Sequence, residues 1–307
     1  MIKSYRHGER EHGCGWVPDF PDWHRDHTPD RNKQVADFIR HARKKAGISE
    51  PAKSSGLLKL PPSSLDLRGS FSPVEDQLQY GSCTSHAYMG LWEYYQKLTY
   101  GTHIDGSRMF LYYMTRWLLG WKGDTGAYLR TTMKAAALFG VPPEAMWRYI
   151  AANLDKEPTV PVGLAAAKFP ATGYYRLDTP QMKPDELLNG IKAQIVARLP
   201  LMFGFAVPPS ISQAASNGGR IPFFAKGEGS DGGHAIDAIG YDDKIEITNA
   251  IDNSKTVGAI MIRNSWGRSW GGDGGYGYLP YEFVLQRLAN DFWWLFSANW
   301  LDIRPFN

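Results

Sequence analysis

Residues 77–87 read QLQYGSCTSHA. Cys83, one of only two cysteines in the chain, follows a Gly-Ser pair and opens the run SHAYMGLWEYYQKL, which few helix breakers interrupt. Helix is expected from about Cys83 to Leu98. A thiol at a helix N-terminus meets unpaired backbone N–H groups and the positive end of the helix dipole. That setting lowers a thiol pKa and favours thiolate, the reactive form. Gly81 and Ser82 let the chain turn tightly into the helix. A lone thiol in a folded domain is otherwise an inert small hydrophobe. Partners elsewhere decide between these readings, because a thiolate nucleophile needs an imidazole and a group to orient it.

The frame around this stretch is that of a large chain. Its 307 residues, 43% of them hydrophobic, suffice for a big core in one domain or two lobes. Cys14 and Cys83 alone make no disulfide framework. No apolar run of about 18 residues is present, so no membrane partner is expected. The N-terminus, MIKSYRHGEREHG, lacks the apolar stretch of a secretory signal. By sequence the chain reads as cytoplasmic, or as exported with its leader already lost. Residues 1–56 hold eleven Lys/Arg against eight Asp/Glu, so the whole net charge of +3 lies there and the body is neutral. A neutral body argues against nucleic acid as a partner, although RHARKK at 40–45 is basic.

Residues 1–27 carry GWVPDFPDW among polar residues and are expected to be extended and loop-like. Thr28-Pro29-Asp30 predicts a helix start, and Val35, Phe38, Ile39 and Ala42 continue it at helical spacing to about Lys45. ISEPAKSSGLLKLPP, residues 48–62, reads as a linker. Further helices are expected over 108–120 and 127–140. After residue 195, PLMFGFAV, HAIDAIGY, IEITNA and AIMIRNSW read as short strands. Helices early and strands late give an α+β class with two lobes and a cleft between them.

Two later residues fit the thiol. His234 stands in SDGGHAIDAIGYDD, at the start of a strand-like run. Asn264 stands in MIRNSWGRSWGG, at a strand end. Each alone is weak evidence. In the order Cys, His, Asn, over roughly residues 62–300, they resemble the papain-like cysteine peptidases, in a prokaryotic branch. PVEDQLQYGSCTSHA is similar to that family's nucleophile segment, with Gln77 six residues before Cys83. GGHAIDAIGY resembles its histidine strand and RNSWGRSWGGDGGYGYL its asparagine segment, with Trp266 two residues after Asn264.

The resemblance implies a helical left lobe, an antiparallel β-barrel-like right lobe and an active-site cleft between them. It implies that Cys83 attacks a peptide carbonyl, that His234 pairs with it as imidazolium and then protonates the leaving amine, and that Asn264 orients the ring. Gln77 and the Cys83 backbone N–H would donate to the oxyanion, a term of about 3–4 kcal/mol. Trp266 would shield the His–Asn bond, and Thr125, Gly126 and Gly233 would present backbone to a protein or peptide substrate. No metal or organic cofactor is implied. Thr84 and Tyr80 depart from the family pattern: many relatives carry Trp after the nucleophile and a disulfide-forming Cys at the place of Tyr80.

Domain organisation follows. Residues 1–56 are expected to be a propeptide-like intramolecular inhibitor and 57–307 the peptidase domain, made as a zymogen. Five of the eight histidines (His7, His12, His24, His27 and His41) lie in the first segment, so acid release between about pH 7 and 5 is an expectation. His86, one turn beyond Cys83, is assigned a structural role. Cys14 reads by default as a surface thiol, with oxidation onto Cys83 as the sharper alternative. Acyl transfer to an amine and a catalytically silent binding module stand as alternatives to hydrolysis.

Overall fold

The computed structural model describes residues 3–7, 10–19, 61–169 and 173–296. The predicted helix over 28–45 lies outside the described residues, as does the linker except Pro61 and Pro62.

Helix α1, Cys83–Tyr100, runs through the middle of the molecule. Nearly every side chain from Cys83 to Gln96 is buried, so enclosure on all sides rather than one amphipathic face fixes it. Gly101 ends it at φ 76°, a left-handed conformation that suits glycine. Helix α2, Arg108–Leu119, starts at Ser107, whose Oγ accepts from the Phe110 N–H at 3.2 Å. Helix α3, Leu129–Phe139, ends at Gly140. Both pack on α1 and build the helical lobe. Further helices follow at Val160–Ala166 (α4), Pro184–Val196 (α5) and Glu282–Leu285 (α6).

The second lobe is an antiparallel sheet. Its strands are β3 (Ser64–Asp66), β4 (Gly173–Arg176), β5 (Leu201–Ala206), β6 (Gly233–Thr248), β7 (Lys255–Arg263), β8 (Tyr276–Pro280) and β9 (Ala289–Phe296). They run in the order β4-β9-β5-β6-β7-β8, with β3 on the side of β6. The order has two free ends, so the sheet is not closed, and the barrel-like right lobe expected above is corrected to an open sheet. Closure requires the last strand to pair with the first, and among the described residues β4 and β8 do not pair. The two runs at HAIDAIGY and IEITNA are one long strand, β6, whose pairing with β7 shifts between Asp242 and Glu246.

A second departure lies at the N-terminus. Residues expected to be loop-like form a hairpin of β1 (Lys3–His7) and β2 (Arg10–Cys14). From the end of β2 the chain enters the cleft between the lobes.

Between the lobes lies a buried ionic layer. Arg108 reaches Asp105 at 2.7 Å, Glu75 and Glu144 at 3.5 Å and Glu93 at 3.7 Å. Arg263 on β7 faces Asp237 on β6 at 3.8 Å. Gly90 on α1 lies against that pair, and a Cβ there would strike the Asp237 carboxylate. Removing one member of such a layer leaves a buried uncompensated charge, so Arg263→Met is expected to cost about 3–5 kcal/mol of stability. Urea unfolding checks this, with little change in the midpoint as the contrary result.

Candidate active site

The fold brings the four sequence-predicted catalytic candidates to one place. Cys83 is the first residue of α1. His234 is the second residue of β6, and Asn264 follows the last residue of β7. Because β6 and β7 are antiparallel and pair Asp237 with Arg263, the start of one lies beside the end of the other. Asn264 Oδ1 sits 2.8 Å from His234 Nε2, which makes Nε2 the donor and turns Nδ1 inward. Nδ1 is buried and makes no hydrogen bond among the described residues. Trp266 stacks on the His234 ring with centroids 4.6 Å apart and is itself buried, so water does not reach the His–Asn bond from that side.

Gln77 is fully buried, and its orientation is set by Ser265, whose Oγ donates to Gln77 Oε1. The amide nitrogen is thereby fixed toward the cleft, donating to the Gly13 carbonyl at 2.9 Å and to the Tyr80 carbonyl at 2.8 Å. The turn before Cys83 is braced by two residues that sequence reasoning missed. The Asp124 carboxylate accepts from the Gly81 N–H at 2.9 Å and from the Tyr112 hydroxyl at 2.6 Å. Tyr149 donates to the Gln77 carbonyl at 2.8 Å and lies 2.6 Å from Ser82 Oγ. No local signal marks them, because their partners lie tens of residues away. Asp124 ties the 123–126 loop to this turn without a covalent link; no disulfide is present among the described residues.

His86 is buried on the far side of the turn, with Nδ1 donating to the Ser82 carbonyl at 3.0 Å. Burial, followed by the Arg108 charge, holds its pKa well below the usual imidazole range. It is a neutral packing residue.

The cleft is filled by the chain's own N-terminus. The Trp16 N–H donates to the Gly233 carbonyl at 3.0 Å, on the sheet side. On the helical side, the Val17 N–H donates to the Ala127 carbonyl at 3.0 Å and the Ala127 N–H to the Gly15 carbonyl at 2.8 Å. Trp16 and Ala127 form a parallel bridge. The backbone pairing thus falls on Ala127, one residue beyond the expected Thr125 and Gly126. Gly126 serves by its bareness: a Cβ there would strike the Gly15 carbonyl. Gly13 and Gly15 pass so close over the 79–81 turn that a Cβ on either would collide with its backbone. His12 caps the arrangement, stacked on the outer face of Trp266 at 5.3 Å with Nδ1 3.8 Å from Asp76.

Burial sets the charge state. Desolvation pushes the Cys83 thiol up to about 11, outweighing the neighbouring backbone donors of Ala235, Gly15 and Thr84. Desolvation likewise draws His234 down to about 4, against the support of Asn264. With the segment in place the pair is therefore a neutral thiol and a neutral imidazole, not the thiolate that the helix mouth alone predicts. Cys14 is buried rather than superficial. Burial first, then the nearby Cys83 and Asp231, raises its thiol well above the ordinary range. Alkylation of Cys83 in the intact full-length chain should accordingly rise about tenfold per pH unit from pH 6 to 9, with no plateau near neutrality. Iodoacetamide rates read by peptide mapping check this; a plateau below pH 7 would mean that an ionised pair persists under the segment.

A thiol, an imidazole bonded to an asparagine and a side-chain amide aimed at a carbonyl lie between a helical lobe and an antiparallel sheet. Comparison with known proteins shows the family. The model of the papain family cysteine proteases matches residues 61–282. An uncharacterized peptidase C1-like protein of Acanthamoeba polyphaga mimivirus is 31% identical over 223 residues, covering 71% of this chain and 68% of its own. Xylellain, a cysteine protease from Xylella fastidiosa, superposes with a TM-score of 0.71 at 27% identity, over 97% of this chain and 99% of that one. A Carica candamarcensis cysteine protease in complex with E-64 shares the fold, with a TM-score of 0.55 at 20% identity, over 77% of this chain and 99% of that one. The chain belongs to the papain family, and it is a cysteine protease.

Proposed function

We propose that the chain hydrolyses peptide bonds with Cys83 as nucleophile, His234 as its imidazole partner and Asn264 as the group that orients it, and that residues 1–56 hold the peptidase body, 57–307, latent. The observation that carries this reading is the grip of Gln77 on the Gly13 carbonyl. The amide that would stabilise an oxyanion is occupied by the chain's own backbone, and both walls of the cleft bond the residues that follow.

In the working enzyme the thiol and imidazole exchange a proton once water and substrate replace the segment. The thiolate attacks the substrate carbonyl carbon, and the oxyanion takes N–H donors from Gln77 and from the Cys83 backbone. His234 gives its proton to the departing amine as the C–N bond breaks. Water then adds to the thioester, its proton passing to His234, and the acid product leaves with the thiol restored. Assay of the processed enzyme on peptide substrates tests this. Gln77→Ala is expected to lower kcat by about 10²–10³, and a change of less than threefold would remove Gln77 from the site.

The proton balance bears on the trigger. A neutral thiol–imidazole pair and a thiolate–imidazolium pair each hold one proton, so uncovering the pair neither takes up nor releases one. Falling pH therefore does not drive release through Cys83 and His234. Where Cys83 and His234 alone set the rate, processing at pH 5 and at pH 7.5 should differ by less than about threefold. A tenfold acceleration at pH 5 would move the trigger to Asp291, which burial draws up to about 6 beneath Trp16, or to His24, His27 or His41, beyond the described residues, and the histidines would restore the acid-release expectation.

A further inference from the structure

Tyr149 lies on the loop between α3 and α4. Its ring makes edge contacts with Tyr80 and His86, centroids 5.8 and 5.1 Å away, and its backbone N–H donates to the Glu144 carboxylate. Because His86 Nδ1 donates to the Ser82 carbonyl, the Ser82 hydroxyl is left to donate to Tyr149, 2.6 Å away. That directs the phenolic hydrogen at the Gln77 carbonyl, at 2.8 Å. The peptide that carries this carbonyl is strained. Leu78, which follows it, has φ 53°, a left-handed conformation that a side chain with a Cβ disfavours. Leu78 is exposed, so packing does not hold it there. Rotation of the 77–78 peptide plane would return it to negative φ. Two bonds on opposite edges of that plane oppose the rotation: Tyr149 on the carbonyl, and Asp76 Oδ1, which accepts the Leu78 N–H at 2.9 Å. In the latent chain Gly13 adds a further brace, its N–H donating to the Leu78 carbonyl at 3.2 Å and its carbonyl accepting from the Gln77 amide. That brace leaves with the segment.

We propose that Tyr149 is a positioning residue for the reaction: its hydroxyl keeps the 77–78 peptide from turning over, and so keeps the Gln77 amide aimed at the developing oxyanion. The proposal rests on the peptidase reading above. Ser265 already fixes the Gln77 N–H, through its carbonyl at 2.8 Å, and the Gln77 Oε1, through its hydroxyl. The Gln77 carbonyl is the remaining point at which the residue can swing. A misaimed donor loses most where the oxyanion carries full charge, in the transition state, and little when the ground-state substrate binds.

The test uses the full-length chain carrying Gly15→Val, where a Cβ against the Gly81 backbone lifts the segment, and a fluorogenic peptide. Tyr149→Phe removes the hydroxyl and keeps the ring. It should lower kcat about tenfold or more and leave KM within about threefold. Alkylation of Cys83 by iodoacetamide needs the thiolate but forms no oxyanion, and should stay within about twofold. In the Gln77→Ala background the same substitution should cost less than about threefold, because the amide it positions is already gone. Leu78→Gly, which accepts positive φ without strain, should bring the Tyr149→Phe chain back to within about threefold of its parent. A tyrosine that merely supports the fold would slow alkylation and hydrolysis together, and would cost the same factor with and without Gln77; either result overturns the proposal. So does a kcat in Tyr149→Phe within threefold of the parent, or a loss that Leu78→Gly leaves untouched. Should Tyr149→Phe fail to fold, Ser82→Ala, which frees the phenolic hydrogen to turn away, is read by the same measurements and the same limits. If Gln77→Ala itself costs less than threefold, or the parent cleaves no peptide, the peptidase reading fails and takes the proposal with it. A full Gln77 effect with none from Tyr149 overturns the proposal alone.

Discussion

Full-length protein carrying Gly15→Val should expose Cys83 to alkylation at pH 7 at least 100-fold faster than the unchanged chain. Gly15 passes over the turn at Gly81 with no room for a Cβ, and its carbonyl accepts from Ala127 at 2.8 Å. Valine at that position cannot keep both the pairing and the approach, so the segment must lift. Lifting lets water reach Cys83 and His234, and the thiol, held near 11 by burial, falls back to a range where thiolate is present at neutral pH. Trp16→Ala should act in the same direction by a different route, since an aromatic side chain deleted from a packed pocket typically costs about 3–5 kcal/mol. Peptide mapping separates Cys83 from Cys14. Alkylation unchanged in both variants would mean that the thiol is buried by the body itself and not by the segment.

In the processed enzyme, His234→Ala should reduce kcat by about 10⁴ or more. The imidazole has two duties: it pairs with the thiolate, and it protonates the departing amine. His86 does not substitute for it. Its ring lies one turn along α1 against Tyr149, its Nδ1 is committed to the Ser82 carbonyl, and burial keeps it neutral. Asn264→Ala should cost less, because it leaves the imidazole in place and frees only its orientation. If His234→Ala retained a tenth of the activity, the base would have to be sought elsewhere.

The placement of Cys83, His234, Asn264 and Gln77 was legible in the sequence because the motif around each is local. A Gly-Ser turn, a breaker-free run and a cysteine between them specify a helix mouth, and α1 begins at Cys83 and ends two residues beyond the expected Leu98. Helices α2 and α3 lie within a residue or two of their expected bounds. What was not legible depends on partners far away in the chain. KSYRH and REHGC carry no apolar alternation, so nothing local announces the β1–β2 hairpin. The polar YDDK at 241–244 hid the continuity of β6, a single strand that crosses it. Asp124, Tyr149 and Ser265 act by hydrogen bonds spanning 43, 72 and 188 residues. Gly204 and Asp291 read as an unremarkable glycine and an acid in apolar strands, and only the indole of Trp16 between them gives them meaning. The charge state of the thiol was misread for the same reason. Helix dipole and turn belong to the neighbourhood of Cys83, whereas the burial that overrides them comes from residues about 70 positions earlier.

The central claim is that the thiol is catalytic and that the N-terminal segment is its latch. The most direct measurement is an intact-mass time course of purified full-length protein beside Cys83→Ala. Loss of a fragment of roughly the first 50–60 residues in the unchanged chain alone, with peptide hydrolysis appearing in step, is the predicted result. Hydrolysis at full rate by a chain that keeps its N-terminus would contradict the latch, and equal fragmentation of Cys83→Ala would contradict the nucleophile.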